Sequence, residues 1–555
     1  MKRGRSLPVA VEVLALFVLL GYGCGDRTCD TGEPDGGDTA AEPDTAGDPD
    51  VPDLEEQDAA DITDVIDEDA DADSAEAPPP VDCSRIEEHM TQDGLLVHLE
   101  ALETVATDSG GSRVAGSAGW DGTIDYVEDR LEEYGYTPAR MDTTYSYFEE
   151  ETDPVLQMIS PSSHVYAFSP DDWVTMTGDF QRMHLSRPGD VSASVTAVDL
   201  ELGPGNASTS GCEPSDFAGF PAGNIALIQR GTCPFVTKAN NADDAGAGAI
   251  IIFNQGNTVD RTGLFIGGVG LVSLDPEEPE HGVGIPVVFA TYAVGEGIAT
   301  LLASGPVVMR LQVSDVFEVR TSQNILADTA GGDPEDIVVY GAHLDSEVDC
   351  PGMNDDATGI AAVLEIARLV AECEPARKFR FGFWATEEWG WPWGSVQYVA
   401  SLSDTELARI SMYFNIDMIG SSNHAFFVYD GDGSDFWVPG PEGSAELEWF
   451  FVADLMLHGY PSVPLWGGSS DHIAFYMNDI AYGWLFTGGA LQGAAKTEEE
   501  AALFGGTAGE AYHPCQHEAC DTIENLNMDV AEIAAKSYAR SAQFFGLDGL
   551  SVILP

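Results

Sequence analysis

Positive charge is what this 555-residue chain lacks most clearly: 23 lysines and arginines stand against 94 aspartates and glutamates, a formal net charge of −71. A surface of that sign repels nucleic acid and anionic lipid, so neither is expected as a partner. It suits solubility in saline surroundings and, secondarily, attracts cationic peptides. Long hydrophobic runs are missing too. The apolar stretch from Leu7 to Leu20 is shorter than a comfortable membrane span and contains Glu12. Aromatic residues are absent from Asp26 to Pro80, a run of mostly Asp, Glu, Ala, Pro, Gly and Thr. Such a segment buries too little apolar area to offset chain entropy, so residues 24–82 are predicted to be a disordered acidic tether.

What is present at the N-terminus reads as an export signal over residues 1–23. Lys2, Arg3 and Arg5 precede the apolar stretch, and Gly21-Tyr22-Gly23 forms a small-residue cleavage zone before Cys24. Cys24 is a candidate for acylation, as in a bacterial lipoprotein, although Leu20 lies one position early for the usual box. The expected location is therefore outside the cytoplasm, either secreted or held to the cell envelope by a lipid at Cys24. With Cys24 set aside, eight of the nine cysteines remain, an even number that suggests disulfides. Nearest-neighbour pairing gives Cys212–Cys233 and Cys515–Cys520, and elimination leaves Cys350–Cys373 and Cys29–Cys83.

Helical spacing of apolar residues runs over 93–106 and over 119–134, where Gly135 is a stop signal; Tyr145 to Phe148 read as a strand. Between about 155 and 318 the pattern shifts to short strands and Gly/Pro turns. NIALIQRG is a buried strand, TCPFVTKANNADDAGAGAIIIFN a helix then a strand, and IPVVFATYAVGEGIATLL a strand then a helix. Residues 200–303 resemble the protease-associated domain that many exported peptidases carry as an insertion. From about 319 onward, QNILADT, DIVVYGAH, KFRFGFWA and ISMYFNIDM are strand candidates separated by helices such as Gly359 to Ala371. The expected fold class is α/β: a mixed, largely parallel sheet sandwiched by helices, built from residues 83–154 and 319–555 around the β-rich insertion. Ligands of such sheets bind beyond the carboxyl ends of the strands.

Polar clusters fall at those ends. His343 and Asp345 follow DIVVYGA, Asp355 sits in PGMNDDATG at a loop-to-helix junction, Glu387 and Glu388 follow FGFWAT, and Asp417 follows YFNI. Tyr512 and His513 come later, in GEAYHPCQHEACDT. Each alone has an ordinary structural explanation. Together they supply what a pair of zinc ions about 3.5–4 Å apart requires: a bridging carboxylate flanked by imidazole and carboxylate. Of two adjacent glutamates only one can point at metal, which makes Glu388 the ligand and Glu387 the general base. Asp345 is placed to accept the second imidazole N–H of His343.

HLDSEVDCPGMNDDATG, ATEEWG, NIDMIG, SSDHIAF, LFTGG and FGGTAGEAYHPCQHEACDT, with the earlier GGSRVAGSAG, resemble the bacterial and fungal co-catalytic dizinc aminopeptidases of the secreted leucyl type. The resemblance covers about residues 93–150 and 320–545. It implies that His343 and Asp417 bind one zinc, Glu388 and His513 the other, and that Asp355 bridges. It further implies that Tyr512 polarises the scissile carbonyl and that Ser470-Asp471-His472 lies beside the cleft. Trp389, Trp391 and Trp393 make the loop after the glutamates unusually aromatic, for a specificity pocket or for packing. The substrates expected are peptides with a free N-terminus. A carboxypeptidase on the same fold needs a base, normally Arg, for the terminal carboxylate. None lies between Ser411 and Ala539, where Lys496 and Lys536 are the only basic residues apart from histidine. A non-catalytic receptor would have lost a ligand or the base, and here every one is kept.

Overall fold

The computed structural model describes residues 81–149, 152–170, 176–265, 267–269, 283–314, 316–468, 470–490 and 494–551. The chain divides into Met1–Pro80 and Val81–Pro555, and the architecture below is that of the second unit. The expected signal, the tether, Cys24 and Cys29 lie outside the described residues.

The first sheet has eight strands in the order Ala139–Glu149, Val316–Asp328, Arg377–Trp384, Asp333–His343, Ile410–Asn415, Ala481–Phe486, Phe427–Tyr429, Val463–Leu465. Its four central strands, from Arg377–Trp384 to Ala481–Phe486, run parallel, while the flanking pairs are antiparallel except at the last edge. Parallel strands need cover on both faces, and the residues show why these sit centrally. Ile337 to His343 are all buried, as are Gly382 to Trp384 and Tyr413 to Asn415. On one face the helix Thr358–Ala371 is buried over nearly its whole length. It packs with the helices Gln92–Asp108, Ala118–Glu133 and Met528–Ser541 around one continuous core. Thr91 and Ser117 cap two of these helices through their side-chain oxygens. Gly135, at φ 89°, ends the second in a left-handed conformation that a side chain would resist.

A second eight-stranded sheet is formed by strands that all fall between Val155 and Val313. Its inner strands Ile225–Gln229, Ala249–Phe253 and Val287–Ala290 are parallel and fully buried, with separate apolar clusters on the two faces. The strands Ala139–Glu149 and Val316–Asp328, which lead into and out of this segment, pair with each other over eleven positions. The mixed α/β reading holds. The strand expected at Tyr145–Phe148 is longer because its first half is polar, as an edge strand can be.

Among the described residues, three disulfides join Cys83–Cys373, Cys212–Cys233 and Cys515–Cys520. The pairings Cys350–Cys373 and Cys29–Cys83 are therefore incorrect. The helix Thr358–Ala371 delivers Cys373 to the segment at Cys83, 290 residues earlier, with Cα atoms 5.6 Å apart, while Cys350 is a free, buried thiol. Three disulfides mark an oxidising compartment. Among the described residues no helix is long and apolar enough to cross a membrane.

Candidate active site

Three neighbouring parallel strands stop at the same edge, and each hands over a polar group. Asp333–His343 ends on His343, Arg377–Trp384 is followed by Glu387 and Glu388, and Ile410–Asn415 by Asp417. Asp355 comes from the segment Met353–Ala357 that enters the helix Thr358–Ala371. A fifth contribution comes from the loop that Cys515–Cys520 staples, and it is His517.

Asp355 stands between two imidazoles. Its Oδ1 is 3.1 Å from His343 Nε2 and its Oδ2 is 3.3 Å from His517 Nε2. Asp417 Oδ1 lies 3.9 Å from His343 Nε2, and Glu388 Oε2 lies 3.3 Å from His517 Nε2. The cluster thus falls into two halves, His343 with Asp417 and His517 with Glu388, sharing Asp355. Glu388 Oε1 and Asp417 Oδ1 are buried without a hydrogen-bond partner. Orphaned buried carboxylate oxygens within a cluster of imidazoles and acids are costly unless a cation completes them, so the residues fit a divalent metal.

The surroundings pin each group. His343 Nδ1 lies 3.1 Å from the backbone carbonyl of Asp345, which can only accept, so Nδ1 donates to it and Nε2 is the nitrogen that faces Asp355 Oδ1 and Asp417 Oδ1. The Asp345 carboxylate, expected to orient His343, is 3.6 Å from Nδ1 and instead accepts the backbone N–H groups of Glu387 and Glu388 at 3.1 and 3.2 Å. Asp356 accepts the backbone N–H groups of His343, Gly359 and Met418, tying three loops together. Ser470 Oγ donates to Asp417 Oδ2 at 2.7 Å. Arg113, from GGSRVAG, is fully buried and donates to the carbonyls of Leu344, Pro351 and Gly352, bracing the loop between His343 and Asp355. Thr386, Met418 and His517, each beside or among the clustered groups, have left-handed φ of 59°, 51° and 61°. Such strain in residues other than glycine persists where surrounding contacts enforce it.

Burial, reinforced by Glu388, Asp471 and Asp417 and opposed by His343, holds the Glu387 carboxyl well above the usual range. Asp471 is pushed up to about 7, again chiefly by burial, and its Oδ1 has no partner. Burial pushes His472 down to about 3; this neutral ring packs on Tyr482 and Trp484 with centroids 4.8 Å away.

The structure does not bring Tyr512 and His513 to this cluster. His513 is fully buried and its Nε2 is 3.0 Å from Asp521 Oδ1. That carboxylate also accepts the N–H groups of Asn354 and Asp355, so His513 braces the loop of Asp355 from behind. Tyr512 donates its hydroxyl to Glu500 at 2.6 Å, with its ring against Phe427. The reason is local: after His513 the chain turns through Pro514 and the disulfide loop, which carries the second histidine to Asp355. His517 lies four residues before Asp521 inside a short stapled loop, and that position is the signal for it in the sequence. Glu347 is a further neighbour that strand-end logic does not find; its Oε1 is 3.9 Å from His517 Nδ1. Of the three tryptophans, Trp393 is core and Trp389 and Trp391 pack against that core, Trp389 with its ring tilted against Tyr145 and Tyr147 at 5.6 and 4.9 Å.

Two family profiles match the chain: Peptidase family M28 over residues 324–541 and the PA domain over 191–298. An aminopeptidase of Pseudomonas aeruginosa is 43% identical over 447 residues, 80% of this chain and 78% of that protein. Leucine aminopeptidase 2 of Arthroderma otae is 35% identical, covering 75% and 76% of the two chains. Among solved structures, the aminopeptidase from Aneurinibacillus sp. strain AM-1 superposes with a TM-score of 0.61 at 24% identity, over 85% of this chain and 98% of that one. The zinc aminopeptidase BSAP of Bacillus subtilis follows the same fold, with a TM-score of 0.52 at 23% identity, over 82% and 95%.

Proposed function

This chain belongs to peptidase family M28, and from that premise we propose that it is a zinc-dependent aminopeptidase that removes N-terminal, preferentially apolar, residues from peptides. The observation that carries the site assignment is Asp355 between the His343–Asp417 and His517–Glu388 halves, with orphaned oxygens on Glu388 and Asp417. In this reading two zinc ions are held, one by each half, with Asp355 shared. Bound zinc supplies a Lewis acid and lowers the pKa of water. Glu387 is the base: it takes a proton from the attacking water and returns it to the leaving amine. Burial among acids raises its proton affinity, as a proton acceptor requires.

Charge decides which end of the substrate is read. The carboxyl groups of Glu387 and Asp471 lie close together beside the cluster and can accept hydrogen bonds from an α-ammonium, and Asp471 keeps an unpartnered oxygen. Among the described residues, three basic groups of the peptidase fold are engaged elsewhere. Arg113 donates to three backbone carbonyls, Lys496 to the carbonyls of Asn423 and His424, and Lys536 pairs with Glu532. Those three groups therefore offer a C-terminal carboxylate no free fork of donors among the described residues. Trp389, half-buried beside Glu388, is a candidate wall for an apolar first residue, whereas Phe475 is fully buried in the core against Tyr413. Export accords with the three disulfides, and acylation of Cys24 is the anchoring route we propose.

Hydrolysis of leucine p-nitroanilide and of short peptides, free, N-acetylated or C-amidated, with and without chelator, tests this. Free and amidated peptides should be cut and acetylated ones resist, since acetylation removes the charge and leaves buried carboxylates unpaired. Cleavage of acetylated peptides with resistance of amidated ones would make the enzyme a carboxypeptidase.

A further inference from the structure

With Tyr512 bonded to Glu500, the donor expected to face the scissile carbonyl must come from elsewhere. The residue before His517 supplies one. Gln516 Nε2 is 3.0 Å from Asp355 Oδ2, the same oxygen that His517 approaches, and 3.2 Å from Met418 Sδ. The carboxamide is not free to turn over. Its Oε1 accepts the backbone N–H of Ala490 at 2.7 Å, which leaves the NH₂ end facing the site. A further position is shaped to admit it: a Cβ on Gly489 would stand 2.4 Å from Gln516 Oε1. The amide is therefore oriented from one side by a backbone donor and given room by a glycine, with its NH₂ end directed at Asp355 Oδ2 and Met418 Sδ.

We propose that Gln516, rather than Tyr512, is the side-chain donor that faces the scissile carbonyl and holds its oxygen as negative charge develops. The inference rests on the aminopeptidase reading and adds a catalytic residue to it. A preoriented neutral amide suits that role, because it stabilises developing charge, costs little reorganisation, and does not titrate across the working pH range.

The test uses the full-length zinc-loaded enzyme with Gln516→Leu and Gly489→Ala. The glycine variant removes no functional group. Its new Cβ displaces the flexible end of Gln516 and not backbone, so it folds while the amide moves. Loss of one such donor lowers kcat by about 10²–10³-fold. In both variants kcat on leucine p-nitroanilide should fall, toward that range in Gln516→Leu, with KM and zinc content near wild type. Calorimetry should show the phosphonic acid analogue of leucine, whose anionic tetrahedral oxygens resemble the charged transition state, losing affinity in step with kcat. Unchanged turnover in Gln516→Leu overturns the proposal, and so does loss of zinc from it, which would make Gln516 a support for Asp355. Wild-type enzyme inactive on free leucine substrates would overturn the aminopeptidase reading itself, and this inference with it.

Discussion

Exchanging the roles of two histidines four residues apart is open to direct test. His517→Ala removes the imidazole that faces Asp355 Oδ2 and Glu388 Oε2, each 3.3 Å away, and leaves that half of the cluster with carboxylates alone. Zinc bound there should fall from about one ion to near none at micromolar free zinc, taking the total from about two per chain to about one. Turnover should drop by more than the 10–100-fold that loss of an outer-shell partner typically costs. His513→Ala removes a different thing. Asp521 keeps the N–H groups of Asn354 and Asp355 but loses one buried hydrogen bond, a destabilisation of about 1–3 kcal/mol. Because Asp521 positions Asp355, zinc affinity should weaken by about 10–100-fold, yet both ions should return at saturating zinc.

Elemental analysis after dialysis against graded zinc separates the two variants, and urea unfolding of the apo forms isolates the stability term. If His513→Ala permanently loses one ion while His517→Ala keeps two, the roles of the two histidines are the reverse and the Tyr512-His513 pair is the functional one.

Glu387→Gln should retain zinc and fold while lowering kcat by about 10²–10⁴-fold, the usual cost of a lost general base; near-normal turnover would mean that another group takes the proton. Asp355→Ala should lose more zinc than any other single ligand change, since it alone touches both halves, and elemental analysis of the five alanine variants ranks them. Away from the site, Glu365 joins His98 and Arg368 in the core. Burial opposes its charge, but Arg368 and His98 outweigh that and lower its carboxyl from 4.5 to about 2. That shift contributes about 3 kcal/mol, complete above about pH 4.5 and lost as pH falls through about 2. The gap in urea midpoint between wild type and Glu365→Gln should therefore close on acidification across that window, and a gap independent of pH would refute the linkage.

Much of the site is legible in the sequence because four of its groups follow one-dimensional cues. His343, Glu387-Glu388 and Asp417 each trail a buried apolar strand, and parallel strands place such trailing residues along one edge. Asp355 opens a helix whose burial is written in its uninterrupted Ile, Val, Leu and Ala. His517 follows no strand and opens no helix, and its one cue is its place four residues before Asp521 inside a disulfide loop. It lies in a loop with neither period, where the choice between two histidines depends on how a short disulfide loop turns. Spacing identifies the Cys515–Cys520 pair, but not the direction in which its loop sends the chain. Cys83–Cys373 escapes for the opposite reason: nearest-neighbour logic cannot see a partner brought 290 residues along the chain by packing.

The deeper limit is backbone conformation. Left-handed φ is ordinarily announced by Gly, Asn or Asp, yet around this site it is adopted by Thr386, Met418 and His517. No local preference favours those conformations. They are held by tertiary contacts: Asp345 on the N–H groups after Thr386, Asp356 on the N–H of Met418, and the disulfide around His517. Each anchor is itself buried and polar, and each reads in the sequence as one more acid or cysteine beside the ligands. The cost of aiming five side chains at one point is thus met by residues that touch no substrate. A variant such as Asp345→Asn, which keeps size and removes charge, should leave the ligand set intact and still misplace Glu387 and Glu388. Its zinc content should remain measurable at saturation while kcat falls about 10–100-fold, as for other outer-shell partners. Full activity in that variant would show that the strained loop holds its shape without the anchor.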